Sequence, residues 1–274
     1  MHAHFLDCDV TPAVRFHHSW SMLLTGLAVP VATTVSAMSA SQPLPAAGDV
    51  TDAAEGSAPR VAADHPAINE LFALLAYGEV AAFYRLTEEA RMAPDLRGRI
   101  NMASMAAAEM GHYEQLRDAL AARGVDVVPA ITRYAPALEN YHRLTTPSTW
   151  LEALVKTYVG DAMAADFYLE IADVLPDEVA GVVRAVLSET GHSQFVVAEV
   201  RQAVMSSGRQ RSRLALWSRR LLGEAITQAQ YVLAEHDELV ELVLSGPGGL
   251  GHVADFFGRL QRTHDDRMRQ LGLA

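Results

Sequence analysis

Four short stretches decide the fold: Gly78-Glu79, Glu109-Met110-Gly111-His112, Gly160-Asp161 and Glu189-Thr190-Gly191-His192. Each sets an acid in the middle of an apolar stripe. The first stripe is Ile68, Phe72, Leu75, Glu79, Ala82 and Leu86. Its steps of three and four mark one face of a helix. The second runs Met102, Met105, Glu109, His112, Leu116 and Ala119. The third runs Leu154, Tyr158, Asp161, Ala165, Tyr168 and Ala172, and the fourth Val182, Ala185, Glu189, His192 and Val196. A Glu and a His at i, i+3 leave a helix on the same side. Each Glu-x-x-His can therefore serve one ion, or two neighbouring ions, inside a bundle.

The four stretches form an internal repeat. Glu109 and Glu189 are 80 residues apart, as are His112 and His192. Gly78-Glu79 and Gly160-Asp161 are 82 apart, and each leads to a Phe-Tyr pair, Phe83-Tyr84 and Phe167-Tyr168. Each half reads as a helix with one acid followed by a helix with Glu-x-x-His. Chance alone supplies about one Glu-x-x-His in a chain of this composition, so the motif carries weight only in context. A third copy, Glu139 to His142, lies among prolines on no apolar stripe and is read as a chance match.

Punctuation places the helices. His65-Pro66 starts the first and Pro94-Asp95 ends it. Gly124 closes the second. A connector of about 24 residues with Pro129, Pro136 and Pro147 follows. Ser148 or Thr149 caps the third helix, and Pro176-Asp177-Glu178 opens a fourth that carries Glu189 and His192. Helical stretches over about 210–244 and 250–270 flank Gly246-Pro247-Gly248-Gly249. No stretch alternates with period two. The expectation is an all-α protein: a four-helix bundle over 61–208, with a long crossover, and two C-terminal helices over 209–274 packed on it.

Residues 1–60 lack this periodicity and carry Pro12, Pro30, Pro43, Pro45 and Pro59. Three readings stand: a disordered tail, a secretory leader, or a start site misassigned upstream of Met38. None places chemistry there. The chain has one cysteine, Cys8, which excludes a disulfide framework and a cysteine-based zinc site. No apolar run reaches the ~20 residues that span a bilayer, so no membrane role is expected and the location is expected to be cytoplasmic. Of 22 basic residues only Lys156 is a lysine, which reads as composition bias.

The net charge of −11 argues against broad nucleic-acid binding but leaves room for a local patch. Arg209, Arg211, Arg213, Arg219 and Arg220 form the one basic cluster, with no acid between them. It is a solvated helix face or a possible RNA-binding surface. His65, His236, His252 and His264 have no acid at ligand spacing and read as surface or capping residues.

Four carboxylates converging in one core repel each other and cost several kcal/mol each to bury as ions. Two divalent cations remove that problem. Oxygen ligands with imidazole suit iron or manganese better than zinc. The set Glu79, Glu109, His112, Asp161, Glu189 and His192 resembles the ligand set of the ferritin-like di-iron carboxylate proteins over about residues 65–205. That resemblance implies Glu79 and His112 on one metal, Asp161 and His192 on the other, and Glu109 and Glu189 bridging. Asp161 departs from the usual Glu. The text from Asn69 to Glu79 and the C-terminal helices look most like the branch related to the tRNA 2-methylthio-isopentenyladenosine hydroxylases.

Membership would imply two iron ions (or manganese), O2 as co-substrate, a ferredoxin or reductase as electron donor, and monooxygenase chemistry on a modified tRNA adenosine. A small organic substrate and a homodimeric partner copy stand beside it. A ferroxidase-type iron-binding protein is the alternative, and a manganese catalase-like scavenger a third.

Overall fold

The computed structural model describes residues 61–187, 192–245 and 250–274, leaving aside the side chains of 192, 193 and 250–254. Helix α1 spans Pro66–Glu89 and starts on His65, whose Nδ1 accepts from the Ala67 amide at 3.2 Å. It ends in a short 3-10 turn, Ala90–Met92. Helix α2, Leu96–Ala122, is capped by Asp95, which accepts from the Gly98 amide at 2.8 Å. Gly124 then takes a φ of 72°, a left-handed value that suits glycine and turns the chain out of the helix.

The connector is more ordered than its prolines suggest. It holds α3, Val127–Thr132, and α4, Ala135–Leu144. Pro136 sits in the first turn of α4, where its missing amide costs nothing. Helix α5, Trp150–Ala172, starts on Thr149, whose hydroxyl accepts from the Glu152 amide at 3.3 Å.

The expected fourth helix is two helices, α6 at Asp177–Val186 and α7 at His192–Met205. Leu187 caps α6 before Glu189, which lies outside the described residues. A stripe shared by both pieces does not register the break. The expected fifth helix is likewise divided, into α8, Gly208–Glu235, and α9, Asp237–Leu244. His236 between them is extended (φ −131°, ψ 90°), and its ring lies 4.5 Å from that of Tyr134. A tertiary contact there overrides local helical preference. Helix α10, Leu250–Leu271, closes the chain. The described residues contain ten α-helices and no strand, the all-α class expected from the sequence.

Helices α1 and α2 form the most extensive pairing. Helix α5 packs against α6, α7 and α8, and α10 lies on α5 and α8. Two apolar clusters make the core. One joins Ile68, Leu71 and Leu75 of α1 to Leu116 and Leu120 of α2 and to Val179 and Val183 of α6. The other joins Leu86 to Met102, Met105, Leu154, Val159 and Leu221. On α1 and α2 the residues between the clusters are those at Glu79 and at Glu109 to His112. The candidate ligands thus form a polar layer sandwiched by oil on both sides.

Candidate metal centre

Glu79, Glu109 and His112 offer ligand atoms that all lie within 4.8 Å of one another. His112 Nδ1 is 3.5 Å from Glu79 Oε2 and 3.3 Å from Glu109 Oε2. The three side chains are 12–16% exposed, so the cluster is neither sealed nor open. The α1–α2 hairpin builds it alone: the two helices run antiparallel, and the middle of one stripe meets the middle of the other.

The electrostatics follow from burial and from the contacts the three groups make with one another. Burial pushes Glu79 up to about 8, although the His112 hydrogen bond works the other way. Burial also opposes ionisation of Glu109, but hydrogen bonds from His112 and Glu79 hold it below its ordinary value. Hydrogen bonds to both glutamates raise His112 to about 10. A divalent cation bound by the three groups would displace protons from them. Two carboxylates and one imidazole, half-buried and convergent, fit a hard or borderline cation.

Asp161 reaches the same layer from α5 but not the three-residue group. Its side chain is 48% exposed, into the cavity rather than outside, so protein still surrounds it. Burial, then the Glu109 carboxylate, raises it to about 7. Its Oδ1 lies 4.0 Å from Arg85 Nη2. The resemblance gives His192 and Glu189 to the site as well. His192 opens α7, and its side chain, like all of Glu189, lies outside the described residues.

A cavity of about 620 Å3 adjoins the cluster. Leu75, Met163, Phe167, Ile226, Val232 and Leu260 give it an apolar wall drawn from α1, α5, α8 and α10. Its other end is polar, and this part was missed in the sequence. Arg85 Nη1 donates to Glu89 Oε2 at 3.0 Å and to Thr157 Oγ1 at 2.9 Å, all out of solvent. Lys156, 2% exposed, sits 3.6 Å from Glu89 Oε1. The lone lysine is thus a buried group paired with Glu89. His142 of the discounted Glu139-x-x-His142 lines the same cavity on α4. Glu139 accepts from Tyr77 Oη at 2.6 Å, which ties α4 to α1. Periodicity hid both, because α4 lies within a proline-marked connector.

The family described as "Ferritin-like domain, actinomycetes" matches residues 63–246. The chain belongs to this family. The match takes in α1 to α9 of the ferritin-like protein and stops short of α10, which supplies Leu260 to the cavity wall. A search of curated proteins finds no match. Among the described residues no helix is long and apolar enough to cross a membrane. His264, expected at the surface, is buried at 2% exposure on α10.

The arginine cluster is exposed but partly engaged. Arg213 Nε donates to Glu152 Oε1 at 2.8 Å, and Arg220 Nη2 donates to the Leu144 carbonyl at 2.5 Å. Arg209, Arg211 and Arg219 remain on the outer face of α8.

Proposed function

We propose that this ferritin-like protein is an O2-dependent di-iron monooxygenase that hydroxylates an organic substrate held in the cavity. The observation that carries the reading is the apolar cavity opening directly onto the Glu79–Glu109–His112 cluster. A ferroxidase needs a path for ions, not a cavity of about 620 Å3 with a broad apolar wall.

Glu79, Glu109 and His112, with Asp161, Glu189 and His192 added, would hold two cations. The metal pair would supply O2 activation, with manganese as the substitute ion. The overall balance is substrate C–H, O2, two electrons and two protons going to C–OH and water. A ferredoxin or reductase in the cytoplasm would deliver the electrons. The chain's own residues do the rest. The carboxylates and His112 would give up their protons to solvent as the cations bind. Leu75, Phe167 and Leu260 exclude water and press the substrate towards the cluster. The tRNA branch of this reading would bring a modified adenosine into the cavity, with Arg209, Arg211 and Arg219 against the backbone.

The test is metal content of protein starting at Met38, beside Glu109→Ala. About two irons per chain, lost in the variant while the helical circular dichroism stays, is the expected result. Substrate-dependent O2 uptake then separates hydroxylation from iron oxidation. A chain that takes up no metal after anaerobic iron loading overturns the reading.

A further inference from the structure

The polar end of the cavity has an unbalanced charge. Arg85 and Lys156 are both buried there, and Glu89 contacts both. Asp161 is the other acid within reach of Arg85. If it faces a metal, as proposed above, two cations remain against one carboxylate. A net positive charge out of water costs several kcal/mol unless an anion compensates it.

The same end has unused hydrogen-bonding capacity. His142 Nδ1 is sequestered with no hydrogen-bond partner among the described residues, and so is Tyr141 Oη. The Thr145 hydroxyl beside Tyr141 spends its proton on the Tyr141 carbonyl at 2.6 Å. Lys156 Nζ lies 5.9 Å from the centre of the Tyr141 ring. Burial, then Arg85 and Lys156, drives His142 down to about 2, so its ring is neutral and can donate from Nδ1. Buried polar atoms left without partners are rare in native folds and call for a ligand or a water.

We propose that the cavity binds an elongated apolar molecule ending in one carboxylate, its head held by Lys156, His142 and Tyr141 with Arg85 behind, its body reaching the Glu79–Glu109–His112 cluster. A monoanion cancels the single excess charge. Carboxylate oxygens accept strong charge-assisted bonds from such donors. Arg85 and Glu79 are six residues apart on α1, or ~9 Å along the axis. The Arg85 guanidinium nonetheless reaches to 4.0 Å from Asp161 Oδ1, so head and cluster are adjoining parts of one cavity. The inference rests on the di-metal reading, because the charge count assigns Asp161 to a metal.

The test is calorimetry of decanoate, decanol and decylamine on the full chain, with metal content measured on the same samples. Decanoate is expected to bind about tenfold more tightly than either of the others. Lys156→Met should bring decanoate level with decanol, and His142→Phe should weaken decanoate alone. Should Lys156→Met fail to fold, the wild-type comparison and His142→Phe decide. Equal binding of the three heads, or a preference that survives both substitutions, overturns the inference. So does an anticodon stem–loop RNA that binds where decanoate does not. Two metals per chain with no head preference sink this inference and leave the metal centre intact. A carboxylate preference in a chain that holds no metal overturns the metal centre and the charge count made here together.

Discussion

His142 is a sharp residue-scale probe. Burial holds its folded value at about 2, while an unfolded histidine titrates near ~6.5. Below about 6.5 the unfolded chain takes up a proton that the fold refuses. The stability tied to His142 is therefore whole above that pH and is lost as pH falls towards 2, at up to about 1.4 kcal/mol per pH unit. His264 is shifted in the same direction by burial. Urea unfolding at pH 7, 6 and 5 should show a shallower acid loss in His142→Phe than in the wild type. Parallel curves would mean the ring is protonated in the fold.

This residue also shows the limit of reading a sequence. The candidate ligand acids were legible because each interrupts a long stripe, and interruption is visible in one dimension. His142, Arg85, Glu89 and Lys156 were not. Arg85 sits beside the stripe, Glu89 falls one step past its last named residue, and Lys156 drew notice only as the one lysine among 22 basic residues. What makes them functional candidates is a cavity that α4, α8 and α10 complete, and no local pattern encodes a cavity.

At the scale of the element, α5 has the most informative start. Thr149 caps it, and Glu152 reaches back to the Ser148 amide at 2.7 Å while accepting from Arg213 of α8. Trp217 Nε1 donates to the Glu152 carbonyl at 2.9 Å. One turn thus finishes a helix and docks another. Thr149→Ala should cost about 1 kcal/mol, the usual loss of a cap. Glu152→Ala should cost more, about 1–3 kcal/mol, since it strands the Ser148 amide and Arg213 together. Chemical denaturation of both variants measures the difference, and equal losses would show that the α5–α8 link adds nothing. The cap was legible from Pro147-Ser148-Thr149, whereas its partner 61 residues away was not. The same blindness explains the fourth and fifth helices. Stripes persist across breaks, so α6 with α7, and α8 with α9, each read as one helix.

At the scale of the molecule, the polar layer divides the core in two. Leu116 and Leu154 are fully buried, one in each apolar cluster. Leu116→Ala and Leu154→Ala should each cost about 2–5 kcal/mol. Because they share no cluster, the double variant should lose close to the sum. A loss well short of it would mean that the two clusters stabilise each other across the ligand layer. The bundle class and most helix limits were evident from the sequence, since caps and prolines mark them. The volume enclosed was not, for it depends on where the C-terminal helices come to rest.

That resting place is set by ionic clasps. Arg267 grips Asp166 of α5 through both guanidinium nitrogens, one bond at 2.8 Å, and Arg259 holds Glu170 one turn further along. These pairs fasten α10 beside the cavity mouth at the edge of solvent, where dissolved ions compete with them. Traffic through the mouth should accordingly answer to ionic strength. Stopped-flow release of a fluorescent acid should quicken as salt rises from dilute buffer to half-molar, even where affinity at equilibrium barely moves. The helix would then behave as a latch whose stiffness the cell's own electrolyte sets.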